Sequence, residues 1–450
     1  MSRLTLQQAA QWCGGAVDPK YAQVSFLGAN NDSREIQPGQ LFVALSGNRD
    51  GHAFIPMAMQ AGAAAVLCTH CPGDYPAIVA PNPRKALGDI ARQLRLQMNM
   101  TVVGVTGSVG KSTTKEMLAS VLERKYVTGR SPANHNNDIG LPMAILALPE
   151  GTQVAVLEMG MNHFGEMAYL TSIARPDMAV ITNIGTMHIE HLGSREGILK
   201  AKLEILQGLR PGGKLVLNGD EPMLWALREK YEATYFGMDN PQCQVRGRQI
   251  PTAAGGCAFL AAAAAGEYPV ILPVEGRHYI CDALAALAAA ECLGVGPADI
   301  CQGLADYRSL AGRQEVFTAK GYEIIKDCYN AGPESMAAAL EVLGSRPTRR
   351  IAVLGDMLEL GSCTQAEHYR IGRIAAANCD MLFTLGKNGP RVVGGALTGG
   401  MRPDRATACD TPQDLAELLR SRAKPGDTLL FKGSRGMKME QVLELFLAER

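Results

Sequence analysis

Val102-Val103-Gly104-Val105-Thr106-Gly107-Ser108-Val109-Gly110-Lys111-Ser112-Thr113 decides how this chain is read. A β-branched run leads into a glycine turn, and the turn opens a helical pattern from Lys111 to Arg124. Strand, glycine turn and helix in that order are the context in which a phosphate-binding loop works. Glycines let the backbone curl so that successive N–H groups converge on phosphate oxygens at the positive end of the helix. The pattern assigns Thr106, Gly107, Ser108, Val109, Gly110, Lys111, Ser112 and Thr113 to a nucleotide. Lys111 reaches the β- and γ-phosphates, and a hydroxyl from Ser112 or Thr113 holds magnesium. The first glycine of the longer general motif falls at Val105, so this is the shorter T-G-S-x-G-K-S-T form. A bare glycine turn opening a helix would need neither the lysine nor the hydroxyls at these places.

Around the loop, short β-rich runs alternate with helical patterns, as in βαβ units on a parallel sheet. Strands are expected at Val154–Leu157, Met178–Thr182 and Lys214–Leu217, and helices at Ser194–Gly208 and Cys281–Leu293. The alternation resumes after Gly312, with strands at Glu323–Lys326, Arg350–Leu354, Met381–Leu385 and Asp427–Phe431. Before the loop, strands Leu41–Leu45 and Ala65–Cys68 flank the turn-rich Ser46–Gly51 and a helical Ala58–Ala64. The fold class is therefore α/β in three domains, placed at 1–99, 100–312 and 313–450. The length of 450 residues agrees with that number at ~150 residues per domain.

Composition excludes several classes. Lys plus Arg and Asp plus Glu are 44 each, which gives no reason to expect nucleic acid or an anionic membrane as partner. Phosphate binding must come from a local site. The amphipathic Met1–Val17 does not read as a signal peptide, and apolar runs such as Ala258–Ala265 are far shorter than the ~20 residues of a membrane span. A cytoplasmic protein is expected. The twelve cysteines have no framework spacing; Cys68 and Cys71 form a lone C-x-x-C without a second pair, so buried thiols are expected rather than zinc.

With these residues in place, the chain resembles the Mur ligase superfamily, which uses the form T-G-x-x-G-K-[ST]-T. Further landmarks follow in order. Asn134–Pro142 is similar to N-x-N-N-x-I-G-x-P, Leu157-Glu158-Met159-Gly160 to a strand-end E-[ML]-G, and Asn183–His188 to N-x-x-x-x-H. Ala201-Lys202-Leu203-Glu204 resembles the helix that carries a modified lysine. Asp32-Ser33-Arg34 with Pro38–Gly47 looks like a UDP-substrate domain. Asp327-Cys328-Tyr329-Asn330-Ala331 and Leu354–Gly361 look like the branch that adds D-alanyl-D-alanine. The MurE branch would carry D-[ND]-P-R in the last domain, whereas Pro81-Asn82-Pro83-Arg84 lies in the first. The UDP-domain motif also separates the chain from folylpolyglutamate synthetases. A P-loop switch that hydrolyses ATP without making a bond would not need Lys202 together with the D-x-Y-N-A segment.

The resemblance implies an N-terminal UDP-substrate domain, a central P-loop ATPase-like domain and a C-terminal Rossmann-like domain. It implies ATP and Mg2+ as cofactors, with UDP-N-acetylmuramoyl-tripeptide and D-alanyl-D-alanine as small-molecule substrates of a monomer. The carboxylate of one substrate would be phosphorylated and then attacked by the amine of the other. Catalysis would fall to Lys111, Glu158, His188 and Lys202. Ser112, Glu158, His188 and Lys202, the last as a carbamate, would hold metal, while His191 is expected to be structural. Asn137, Asp282, Arg313 and Asp327 would join the loop on the nucleotide. Tyr279 and Asp282 replace family asparagines, and an ionised Asp282 cannot donate to adenine as an asparagine does. Ser33, Arg34 and Asn330 are expected on substrate, and Lys432, Ser434 and Arg435 on the dipeptide carboxylate.

Overall fold

The computed structural model describes residues 3–47, 49–252 and 255–448; Met1 of the N-terminal helical pattern and Asn48 of the turn lie outside them. Three large sheets follow one another along the chain, with a short antiparallel pair, Leu4–Thr5 and Ser25–Phe26, beside the first. The first has strands in the order Ala16–Val17, Ala77–Val79, Ala65–Cys68, Leu41–Val43, Ala29–Asn30, parallel except for the first pair. Helix Leu6–Cys13, closed at its start by the Thr5/Gln8 capping box, packs on it. The expected helix Ala58–Ala64 instead spans Ile55–Gln60. Gly62 in the left-handed region (φ +99°) ends it before Ala63 and Ala64 can join.

The central sheet has nine strands. From one edge they run Gly266–Leu272, Cys257–Ala263, Val245–Ile250, Thr234–Gly237, Lys214–Asn218, Met178–Ile181, Thr101–Thr106, Val154–Glu158 and Thr128–Arg130. The last seven of these are parallel to one another, and the first two form an antiparallel extension. Strand Thr101–Thr106 is buried on both faces, which explains its near-continuous Val run. The chain runs from it to the edge strand Thr128–Arg130, returns to Val154–Glu158 on that side and then crosses to Met178–Ile181 on the other. Ligands gather outside the carboxyl ends of strands at such a switch point. Register puts Glu158 beside Val105 and Ile181 beside Thr106, so three strand ends deliver their loops to one place.

The third sheet runs Glu315–Ala319, Tyr322–Asp327, Thr428–Lys432, Arg350–Gly355, Met381–Leu385, Ala406–Cys409, parallel after an antiparallel first pair. Asp327 and Lys432 are register partners at its carboxyl edge. Helix Pro83–Gln97 ties the first domain to the central one: the buried Arg95 donates to the Ala174 and Arg175 carbonyls at 2.9 and 3.1 Å and to Asp177 at 2.9 Å. No described helix is long and apolar enough to cross a membrane, and all twelve cysteines are free.

Candidate active site

A cleft of about 1090 Å³ opens at the carboxyl ends of the central strands and is lined by all three domains. The phosphate loop forms its floor. Gly107 (φ +152°) and Gly110 (φ +82°) hold left-handed backbone, and a Cβ on either would strike Thr182 or Asp282. Asn183 Oδ1 accepts from the N–H groups of both Ser108 and Val109 at 3.0 Å, and Thr182 Oγ1 donates to the Val109 carbonyl at 2.6 Å. Thr106 is fully buried and its hydroxyl has no partner among the described residues. Helix Lys111–Leu122 begins without a side-chain cap, so its first N–H groups face the cleft unclaimed, as an anion site requires.

Lys111 Nζ donates to the Gly107 and Ser108 carbonyls at 2.9 and 3.1 Å. Loss of water around it pushes its ammonium below the ordinary value, and the nearby Glu158 carboxylate opposes that shift. Ser112 Oγ donates to Glu158 Oε2 at 2.6 Å and accepts from Arg313 Nη2 at 2.9 Å. Asn136 Nδ2 holds the other Glu158 oxygen at 2.8 Å. Thr113 and Asn137 also line the cleft; Asn137 Oδ1 accepts from the N–H groups of Ile139 and Gly140, which starts the next helix.

His188 lies beyond strand Met178–Ile181, with Nδ1 2.6 Å from Glu359 Oε2 of the C-terminal domain. Burial and then the Lys111 charge lower its pKa, while the Glu359 carboxylate opposes the shift. His191 stacks on His163 instead and does not line the cleft. Lys202 is only 2% exposed and has no carboxylate partner among the described residues. Burial, with Lys111 adding to it, pushes its amine well below the ordinary value. Lys200 lies over the Phe164 ring at 5.6 Å, on the exposed side.

Asp282 is buried against Gly110, and loss of water raises its carboxyl well above the usual range despite Arg313 nearby. That shift favours the protonated form, which has the donor an ionised side chain lacks. The neighbouring His278 is pushed down to about 4 by the same loss of water.

The C-terminal expectations divide. Arg313, Asp327, Asn330 and Lys432 all line the cleft. Lys432 Nζ is held by Asp327 Oδ2 at 2.6 Å and by the Asn330 carbonyl at 3.1 Å. Ser434 and Arg435 do not join it. Ser434 Oγ donates to the Ala331 carbonyl at 3.0 Å and accepts from Leu358 N–H at 2.9 Å, while Arg435 turns outward to Glu440 at 2.9 Å. Ser33 and Arg34 also stand apart from the cleft, Arg34 paired with Asp32 of its own turn and 80% exposed. Sequence reasoning gave no role to Asn136 and Asn183, although both lie inside segments it singled out. It also passed over Glu334, which accepts from Thr186 N–H at 2.9 Å across the domain boundary, and Tyr329, whose ring lies 4.1 Å under the Arg313 guanidinium.

Comparison with known proteins agrees with this geometry. Residues 105–290 match the Mur ligase middle domain, and residues 312–435 match the Mur ligase, glutamate ligase domain. A UDP-N-acetylmuramoyl-tripeptide--D-alanyl-D-alanine ligase of Bacillus subtilis is 38% identical over 99% of this chain and 98% of its own. Crystal structure I of MurF from Acinetobacter baumannii superposes with a TM-score of 0.90 at 31% identity, covering 100% of both chains. The MurF ligase of Thermotoga maritima in complex with ADP gives 0.80 at 31% identity over 93% of this chain and 97% of that one. With the phosphate loop, Glu158, His188 and Lys202 gathered in one cleft and the likeness running the length of the chain, this protein belongs to the Mur ligases.

Proposed function

We propose that this chain is an ATP-dependent amide ligase that joins D-alanyl-D-alanine to UDP-N-acetylmuramoyl-tripeptide in cytoplasmic peptidoglycan precursor synthesis. The observation that carries the reading is the cleft shared by three domains, with a phosphate loop on its floor, in a chain similar over its whole length to ligases of that name. We divide the chain at 99/100 and 312/313, with the UDP-substrate on the first domain, ATP on the second and the dipeptide on the third. Ser33 and Arg34 belong to the UDP side by this division. The enzyme acts as a monomer.

An oxide is too poor a leaving group for amide synthesis from a carboxylate. The terminal carboxylate of the tripeptide therefore attacks the γ-phosphorus of ATP, ADP leaves, and the dipeptide amine displaces phosphate from the acyl phosphate. Lys111 and the uncapped helix N–H groups neutralise the phosphoryl charge as it moves. Arg313 reaches the same phosphates from the third domain, Asp327 faces ribose, and Asn137 and Asp282 bound the nucleotide. Lys432 and Asn330 hold the dipeptide; Lys432 exchanges Asp327 for its carboxylate.

The donor set suits magnesium. Ser112 Oγ and Glu158 Oε2 are hard oxygens 2.6 Å apart, and no three carboxylate, imidazole or thiol groups cluster among the described residues. Magnesium is commonly held by one or two protein oxygens plus substrate phosphates, where it neutralises charge. His188 would serve a second ion together with Lys202. Burial that lowers the Lys202 amine favours the uncharged nucleophile that carbon dioxide requires, and addition with loss of one proton would leave a carbamate anion at the cleft.

The test is phosphate release with UDP-muramoyl tripeptide and ATP, with and without D-alanyl-D-alanine. Turnover should require the dipeptide. Turnover independent of it would remove this reading.

A further inference from the structure

His188 and Glu359, residues of different domains, meet in one hydrogen bond, and both are held in left-handed backbone at φ +65° and +62°. Non-glycine residues in that region carry ~1–3 kcal/mol of strain, which persists where the surroundings impose it. Here the strain sits on both sides of a single interdomain contact. Glu359 lies in the loop after strand Arg350–Gly355, with its side chain 49% exposed, so burial does not force it onto His188. A carboxylate only accepts hydrogen bonds, so the shared proton belongs to His188 Nδ1. With Nδ1 committed to Glu359, Nε2 is the ring nitrogen left for a ligand in the cleft. Nε2 has no hydrogen-bond partner among the described residues, and the side chain lines the cleft with Lys111, Glu158 and Lys202.

We propose that Glu359 is a positioning residue that the C-terminal domain delivers to His188, fixing the tautomer and orientation that present Nε2 to a divalent cation only when the two domains are together. This rests on the reading of His188 as a cation ligand. Histidines that bind metals generally donate their other N–H to a carboxylate or carbonyl, and loss of that partner weakens the metal ~10–100-fold. What is particular here is that the partner sits 171 residues away on a separate domain. Cation affinity at His188 is thereby coupled to domain position, and by reciprocity the cation favours the joined arrangement.

The experiment uses the full chain with a non-hydrolysable ATP analogue and Mn2+ as probe, counting bound ions by electron paramagnetic resonance. Nitrogen NMR of the histidines reports the tautomer. His188→Ala should lose one Mn2+ site. Glu359→Ala should weaken that same site ~10–100-fold and move the His188 ring to a mixture of tautomers, while Glu359→Gln, whose amide oxygen still accepts from Nδ1, should restore most of both. If His188→Ala titrates like the parent, the ligand reading itself fails and the inference with it. If His188→Ala loses the site but Glu359→Ala keeps it, the ligand reading stands and the inference is overturned. A Glu359→Ala protein with altered domain closure and unchanged Mn2+ affinity would make the contact a mere latch, which also overturns it.

Discussion

Gly110→Ala tests the geometry of the phosphate loop most directly. Gly110 precedes the helix at φ +82°, and a Cβ there would stand 2.2 Å from Asp282 Oδ1 and 3.0 Å from its Cγ. Two penalties combine. Holding an L-residue in the left-handed region costs ~1–2 kcal/mol. Overfilling a packed interior adds ~1–3 kcal/mol, since Asp282, buried on helix Arg277–Cys292, would have to shift its carboxyl. The substitution should therefore cost ~2–5 kcal/mol, read as lost ADP affinity if the loop yields and as lost stability if it does not. Asp282→Ala removes only the steric part. In the double variant the backbone strain remains, so a cycle of the four proteins should return a coupling of ~1–3 kcal/mol in ADP calorimetry or urea unfolding. Coupling below ~0.5 kcal/mol in both assays is what unconnected sites show, and would refute the contact between loop and helix.

Three other predictions follow from the same cleft. Lys202→Ala should lose ~100-fold or more of kcat and regain part of it with short carboxylic acids, whereas Lys200→Ala should resemble the parent; the reverse pattern would assign the wrong lysine. Asp282, raised above its ordinary 3.8, gives stability that is complete below that value and is lost as pH rises toward the folded pKa. Asp282→Asn does not titrate, so its stability relative to the parent should grow as pH rises above 3.8, by up to ~1.4 kcal/mol per unit until the folded pKa is passed; a constant difference in thermal unfolding would count against the raised carboxyl. Tyr329→Ala should raise KM for ATP by ~2–30-fold through loss of ~0.5–2 kcal/mol of stacking under Arg313, while Tyr329→Phe should keep the parent value; equal effects of both would place the contribution in the hydroxyl.

The phosphate loop was legible because every part of it is local: the strand, two glycines, a lysine and hydroxyls lie within twelve consecutive residues. Parallel strands buried on both faces were legible for a similar reason, their Val- and Leu-rich runs being continuous. The antiparallel extension was not. Cys257-Ala258-Phe259-Leu260-Ala261-Ala262-Ala263 is a strand made largely of alanine, which has little intrinsic preference for sheet. It is fixed by pairing on both sides, with Val245–Ile250 and Gly266–Leu272, and pairing is a tertiary fact. Asp282 shows the same limit in the site. Its letter reads as an anion, and only its burial raises the carboxyl above the usual range. Ser434 and Arg435 failed for the converse reason, since a basic turn after a strand says nothing about which hydrogen bonds already occupy it.

The domain boundary shows why no single segment could have revealed the whole site. Gly312, in left-handed backbone at φ +71°, accepts from Tyr329 N–H at 3.0 Å, so the chain's passage into the third domain is pinned beside the residue that supports Arg313. Besides Gln314 and Arg346, which both meet Glu275, three side chains reach back to loops at the strand ends of the central domain. Arg313 donates to Ser112 of the phosphate loop, Glu334 accepts from Thr186, and Glu359 accepts from His188. All three contacts are polar and reversible, and they converge on groups that must act on one phosphoryl transfer. A nucleophile carried by one domain must come within ~3–3.5 Å of an acyl phosphate held by another, and the intermediate must be kept from water. Polar contacts of this kind can break and re-form without unfolding either core, so a domain that parted for substrate exchange would undo them and its return would restore them. Chemistry and closure would then depend on the same few hydrogen bonds.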